Sequence, residues 1–205
     1  LTGIQSPRLS AAQNDAFMEL MNIAMGRAAQ ALGGLLERHV TLRVPQVQLM
    51  TDGDLRDFLS REAPQVGALV MQRCAGPLNG LAGLILPAPH ATRLVRLLLD
   101  ATRELAQLSS AEQTVLTEVG NVILNAALAQ LGDVMHGRLQ IGLPVVALSL
   151  PAAAAADLLF SDATGPGHAI VLLSRLTIDD AELAAQIVLL LPPADVQQLL
   201  ARLDG

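Results

Sequence analysis

The chain has 205 residues, a formal net charge of −6 and 52% hydrophobic residues, yet it contains no Trp, no Tyr and three Phe. An acidic balance without a Lys/Arg cluster or an aromatic platform argues against nucleic-acid binding, which needs a positive footprint. The length suffices for a sizeable core of Leu, Val, Ile, Ala and Met, and the single cysteine, Cys74, has no partner for an internal disulfide, as suits a reducing compartment.

The chain opens at Leu1 without the basic, apolar and small-residue order of a signal peptide. Its longest charge-free run, 139–156, approaches a membrane span in length but carries Gln140, Pro144 and Pro151. It reads as a strand followed by an Ala-rich helix, so no transmembrane helix is expected and the expected location is cytoplasmic.

In chain order, Ser10 is a fair N-cap for a helical pattern that runs to about Arg38. Strand alternation follows, with Val40, Leu42 and Val44 on one face and Thr41 and Arg43 on the other. Past Pro45 the apolar phase moves to Val47 and Leu49, which marks a bulge or an edge position. The segment 51–62 is short, polar and charged. Strands over about 65–75 and 78–86 flank a Gly-Pro-Leu-Asn-Gly turn at Gly76 to Gly80, and Pro87 opens an amphipathic helix.

Residues 101–108 then connect to a second half that repeats the first. Ser109 or Ser110 caps a helix to about His136, Leu139, Ile141 and Leu143 alternate, and Pro144 resets the phase to Val146 and Leu148. The run 151–159 reads as a short helix, 168–176 and 182–191 as strands, and Pro192 opens the last helix. A shift of 99 superposes Glu19 on Glu118, Asn22 on Asn121, Gly33 on Gly132 and Pro45 on Pro144. The offset grows to 105 at LILP and LLLP, so the second half holds about six extra residues, which loops absorb cheaply. The expected fold is α+β: a single domain of two pseudo-symmetric helix-strand-(x)-strand-strand-helix halves, about 10–101 and 109–205, sharing one mainly antiparallel sheet.

At ~100° per residue, Asp15, Glu19 and Asn22 face one way on the first helix, as do Thr114, Glu118 and Asn121 on its copy. The strips continue through Gly26, Ala29 and Gly33, and through Asn125, Leu128 and Gly132. A solvated helix face is the plain reading of one such strip. Asn, however, is a poor residue for a helix interior, and Glu-x-x-Asn with Pro at this spacing would occur twice by chance in roughly one chain in several thousand. Elsewhere His39, His90, His136 and His168 are dispersed, so no metal site is expected. Cys74 in an apolar strand and the Met residues between 18 and 25 read as core, and the glycines form no phosphate-cradling fingerprint.

The pattern Asp/Ser-x3-Glu-x2-Asn-x22-Pro, present twice, resembles the signature of the CheC family of chemotaxis phosphatases, which includes CheX and the phosphatase part of FliY. Asp15, Glu19, Asn22 and Pro45 fit it completely, whereas Thr114 departs from it at the first position of the second copy, so the first copy matches better. The resemblance implies a CheC-like fold and hydrolysis of the phosphoaspartate on CheY-like response regulators. It implies catalytic roles for Glu19, Asn22, Glu118 and Asn121: each Asn orients the attacking water and each Glu pairs with a receiver Lys, with Asp15 and Thr114 at positions that bind the substrate protein. No cofactor of the chain's own is expected, since the Mg²⁺ sits in the partner receiver domain. Such equipment suits a labile acyl phosphate, for which orientation matters more than acid or base strength. The alternatives are a non-catalytic module that binds the phosphorylated receiver or docks a CheD-type deamidase, and a flagellar-switch component of the FliY or FliM kind.

Overall fold

The structure, a computed structural model, describes residues 9–99, 105–162 and 168–203. The first half comprises helix α1 (Ala11–Leu36), strand β1 (Val40–Thr51), helix α2 (Asp52–Glu62), strands β2 (Gln65–Ala75) and β3 (Gly80–Pro87), and helix α3 (Ala88–Leu99). The second comprises α4 (Ser110–Val134), β4 (Gln140–Ile141), β5 (Val145–Pro151), α5 (Ala152–Asp162), β6 (His168–Ile178), β7 (Ala181–Leu191) and α6 (Pro193–Leu203). The halves thus repeat one order of elements, with β1 of the first answered by the broken pair β4 and β5 of the second. Of the expected 101–108 connection, Leu105–Gln107 form one 3₁₀ turn and 101–104 lie outside the described residues, as do 163–167, where part of the second half's extra length falls.

All pairings in the seven-stranded sheet are antiparallel, in the order β1-β6-β7-β3-β2, with both β4 and β5 against β2. The halves interlock along the sheet, β1 pairing with β6, β2 with β4 and β5, and β3 with β7 at its middle, where Leu84 lies opposite Ile187. Helices α1, α3, α4 and α6 close one core against one face of the sheet, built around Phe17, Met21, Leu32, Leu116 and Leu124. The smaller core on the other face lies under α2 and α5 and holds Leu55, Phe58 and Leu59 with Ala155, Ala156 and Leu159. Burial of this alternating apolar surface is what drives the three layers together.

The long helices begin where their caps dictate. Ser10 and Ser109 each accept from the backbone three residues on, while Gln13 and Glu112 return a side chain to the cap, forming capping boxes. α1 ends at Leu36, two residues short of the expected stop, because Glu37 turns left-handed (φ 51°) and Arg38 N–H donates to the Gly33 carbonyl at 3.3 Å. α4 likewise stops at Val134 rather than His136.

The segment 51–62, expected as a polar stretch, is helix α2. Thr51 and Asp54 form its capping box, and Leu55, Phe58 and Leu59 give it one buried stripe. Its charged residues raise its average polarity to that of a loop. It packs on α5, where the Arg56 guanidinium reaches Asp157 at 2.7 Å and lies 4.8 Å over the Phe160 ring.

α4 has the length and apolarity of a membrane-crossing helix over Glu112–Val134, but 56% of that window is buried inside the fold. Its buried stripe includes Leu116, Val119, Ile123, Leu124 and Leu131. Gly120 is its point of closest approach to the sheet, since an added Cβ would lie 2.7 Å from Val70 Cβ and from both its methyls. Gly120→Ala is expected to destabilise the protein by about 1–3 kcal/mol through overpacking, although alanine is the better helix former. Urea unfolding checks the loss, and a smaller loss in Gly120→Ala combined with Val70→Ala checks its cause.

Candidate functional site

The two Glu/Asn pairs lie on antiparallel helices. Arg27 of α1 donates to Gln130 Oε1 (3.1 Å) and approaches Asp133 (3.8 Å) on α4, while Leu35 and Arg38 share a depression of ≈ 300 Å³ with Thr114 and Glu118. The pairs therefore sit at opposite ends of the helix pair, on the order of 20 Å apart along its axis.

In the first copy the spacing between Asn and Pro has a structural cause. The β1–β6 register shifts between Arg43 and Gln46, so Val44 and Pro45 have no partners in the ladder. Proline cannot donate, and Val44 is buried at 1% exposure, so its amide and carbonyl need partners from elsewhere. Asn22 supplies them: Val44 N–H donates to Asn22 Oδ1 (2.9 Å), and Asn22 Nδ2 donates to the carbonyls of Val44 (3.2 Å) and Met18 (2.9 Å). The side-chain amide acts as a short piece of strand. Only this orientation matches donors to acceptors. Leaving such a buried group unpaired would cost about 1–3 kcal/mol. Asn22, Leu42, Arg43, Val44 and Pro45 line a shallow depression of ≈ 460 Å³.

The second copy departs from this. The strand equivalent to β1 breaks into β4 and β5, and 142–144 run free of the ladder. Leu143, expected to continue the alternation of Leu139 and Ile141 and equivalent to the buried Val44, is instead 89% exposed, with Val145 at 57%. Asn121 bonds to no strand backbone. Its Oδ1 accepts from Gln72 Nε2 (3.0 Å) and from Asn125 Nδ2 (2.9 Å), and Gln72 Nε2 also donates to the Gly142 carbonyl (3.2 Å). Gly142 N–H donates to the Arg73 carbonyl at 2.9 Å. Among the described residues Asn121 Nδ2 has no acceptor, so its N–H groups remain available.

Glu19 and Glu118 are exposed, and neither carboxylate has a hydrogen bond or ion pair among the described residues. Both are therefore open to a cation on another molecule. Asp15 is exposed one turn before Glu19, and the Thr114 hydroxyl donates to the Ser110 carbonyl at 2.9 Å. Each strip thus keeps its three residues on one surface. Gln72 and Asn125 are the participants that spacing alone does not single out as partners of Asn121. A signal for Gln72 existed: strand alternation puts its polar amide on the same face as Ala68, Val70 and Cys74, where it has to bond to something.

Among the described residues no three His, Cys, Asp or Glu side chains group so as to hold a metal ion. Burial first, and then the charge of Asp195, push the Cys74 thiol up to about 11, against a smaller lowering by a backbone bond from Gly80. That makes it a poor nucleophile at neutral pH.

No protein-family model matches the sequence. The chain is 28% identical over 162 residues to the CheY-P phosphatase CheC of Bacillus subtilis, spanning 78% of this chain and 77% of that protein. The fold is similar to Thermotoga maritima FliY, with a TM-score of 0.75 at 20% identity over 96% of this chain and 98% of FliY. It is also similar to the FliM middle domain of H. pylori, with a TM-score of 0.64 at 12% identity over 95% of this chain and 99% of that domain. The fold is therefore one that the chain shares with FliY and the FliM middle domain. Within that architecture, the chain is similar to CheC over most of its length, and both of its Glu/Asn pairs are present.

Asn22→Ala is expected to lower stability by about 1–2 kcal/mol and to expose the Val44 amide. Hydrogen exchange at Val44 checks this: exchange should rise sharply in Asn22→Ala and stay slow in Asn121→Ala, which removes no bond to strand backbone.

Proposed function

We propose that the chain hydrolyses the phosphoaspartate of a CheY-like receiver domain. The observation that carries this reading is the second pair, in which the Glu118 carboxylate and the Asn121 Nδ2 group lie one helical turn apart on an accessible face, neither engaged within the chain. The similarity to CheC supports the same substrate class. The proposed role places the chain in the cytoplasm, with its substrate.

In this mechanism Glu118 binds the ammonium group of a receiver lysine, which brings the face of α4 over the acyl phosphate. Asn121 then enters the receiver's site and donates from Nδ2 to a water, using one of its lone pairs and leaving the other directed at phosphorus. The water attacks phosphorus in line, the bond between phosphorus and the aspartyl oxygen breaks with its electron pair left on the receiver's aspartate as a free carboxylate, and inorganic phosphate departs, the water's protons passing to phosphate and solvent. Mg²⁺ held by the receiver stabilises the charge on the phosphoryl oxygens. Nothing on the chain becomes covalently modified, so its contribution is binding and orientation. Leu143 and Val145, the apolar rim beside Gly142, are buried by the docked receiver in this reading.

The first pair supports a second reading for its own half. Asn22 gives both donors of its amide to carbonyls of this chain, so Glu19 and Asn22 serve as a docking surface that binds a receiver without turnover unless Asn22 leaves Val44.

Release of labelled phosphate from a phosphorylated receiver tests both. Wild type should accelerate it, Asn22→Ala/Asn121→Ala should abolish the acceleration while still binding the receiver, and Asn121→Ala should lose more than Asn22→Ala. A wild type that binds without turnover would falsify the phosphatase and leave a sequestering module. Leu143→Ser should raise KM about tenfold with kcat held, as loss of one buried leucine contact requires.

A further inference from the structure

We infer that Gln72 is the residue that positions Asn121 for the reaction, an inference that rests on the phosphatase reading above. Gln72 lies within β2, is 2% exposed, and turns its side chain from the sheet onto α4. There its Nε2 donates to Asn121 Oδ1 at 3.0 Å, to the Gly142 carbonyl at 3.2 Å and, more weakly, towards Asn125 Oδ1 at 3.5 Å. Asn125 Nδ2 donates to the same Asn121 oxygen at 2.9 Å. Two donors converging on one oxygen fix the amide of Asn121 in a single orientation. Turned over, it would set its own N–H₂ against two others. The fixed orientation is the one that leaves Nδ2 facing outward.

The other half shows what the site is without this residue. Gln46 pairs with Leu173, and its counterpart Val145 pairs with Met71, so Ser174 occupies in β6 the place of Gln72 in β2. Ser174 donates to the Ala185 carbonyl at 2.8 Å, within the sheet, and Gly26 stands where α4 has Asn125. Asn22 thus has neither donor and spends its amide on Val44.

Gln72 is also a poor choice for folding alone. Its Oε1 is buried and partnerless, a defect that an apolar side chain of the same length would remove. A buried amide kept at that disadvantage, and bonded to a helical Asn whose own N–H groups have no acceptor among the described residues, is a positioning residue.

The test uses the full chain carrying Asn22→Ala, so that only the second site turns over a phosphorylated receiver. Gln72→Met keeps the side chain's length and removes its donor, and Asn125→Ala removes the second donor at a half-buried helical position that alanine suits. We expect Gln72→Met to lower kcat about tenfold and Asn125→Ala severalfold, with KM within about twofold of the parent in both. Retained kcat in a folded Gln72→Met chain overturns the inference. If that variant does not fold, Asn125→Ala decides alone, and retained kcat there overturns it equally. The side-chain amide resonances of Asn121 report the positioning without turnover: one well-dispersed pair in the parent should average in Gln72→Met, and an unchanged pair overturns the inference. A parent that orders Asn121 in this way but never accelerates dephosphorylation removes the phosphatase reading instead.

Discussion

The structure turns on an amide standing in for a strand. Where β1 loses its ladder at Val44 and Pro45, the side chain of Asn22 supplies the missing donor and acceptor, and the long helix is thereby fixed to the edge of the sheet. The requirement is set by proline, which interrupts the pairing, and by burial, which forbids leaving Val44 unpaired. Asn is otherwise unwelcome within a helix. Here it is retained at a cost in helix propensity because no residue of that length offers both an acceptor and a donor in the geometry of a peptide group. Glu19, one turn earlier, inherits a defined place on the surface from this anchoring.

The second half repeats the Glu/Asn pair but not the anchor. In the second half the strand breaks into β4 and β5, Leu143 swings outward, and Gln72 takes up the carbonyl of Gly142. Asn121 is freed from the backbone and held by side chains instead. The same pair of residues thus does structural work at one end of the helix pair and is available for chemistry at the other. Two changes account for it, Ser174 against Gln72 on the strands and Gly26 against Asn125 on the helices. The chain has two similar surfaces with unequal capacities, and the copy that matches the family signature less well, with Thr114 in place of an acidic or Ser residue, is the one whose Asn is free to act.

Much of this architecture was legible in the sequence because it rests on local chemistry. The capping serines, the alternation either side of Pro45 and the shift of 99 residues are periodic or stereochemical signals, and they foretold the helices, the bulge and the repeat. Helix α2 was not legible as a helix, since its charged residues outweigh the stripe of Leu55, Phe58 and Leu59 that it buries against the sheet and α5. The Glu and Asn residues could be picked out by recurrence, but their difference could not. It depends on which strand residue lies beneath each helix, and that is fixed by pairing between segments 49 residues apart for Gln72 and Asn121. Leu143 was misread for a related reason: alternation predicts a face only while the ladder that enforces it continues.

The central claim is that Asn121, held by its oxygen, presents its N–H₂ group to the phosphorylated site of a receiver. The most direct measurement is the side-chain amide spectrum of the protein, with Asn22 and Asn121 assigned, during titration with a CheY-like receiver carrying beryllofluoride and Mg²⁺ as the acyl-phosphate mimic. The account predicts that the Asn121 pair shifts in proportion to the receiver bound, and that the Asn22 pair shifts less because its amide stays on Val44. A receiver that binds while the Asn121 pair stays where it was would contradict it.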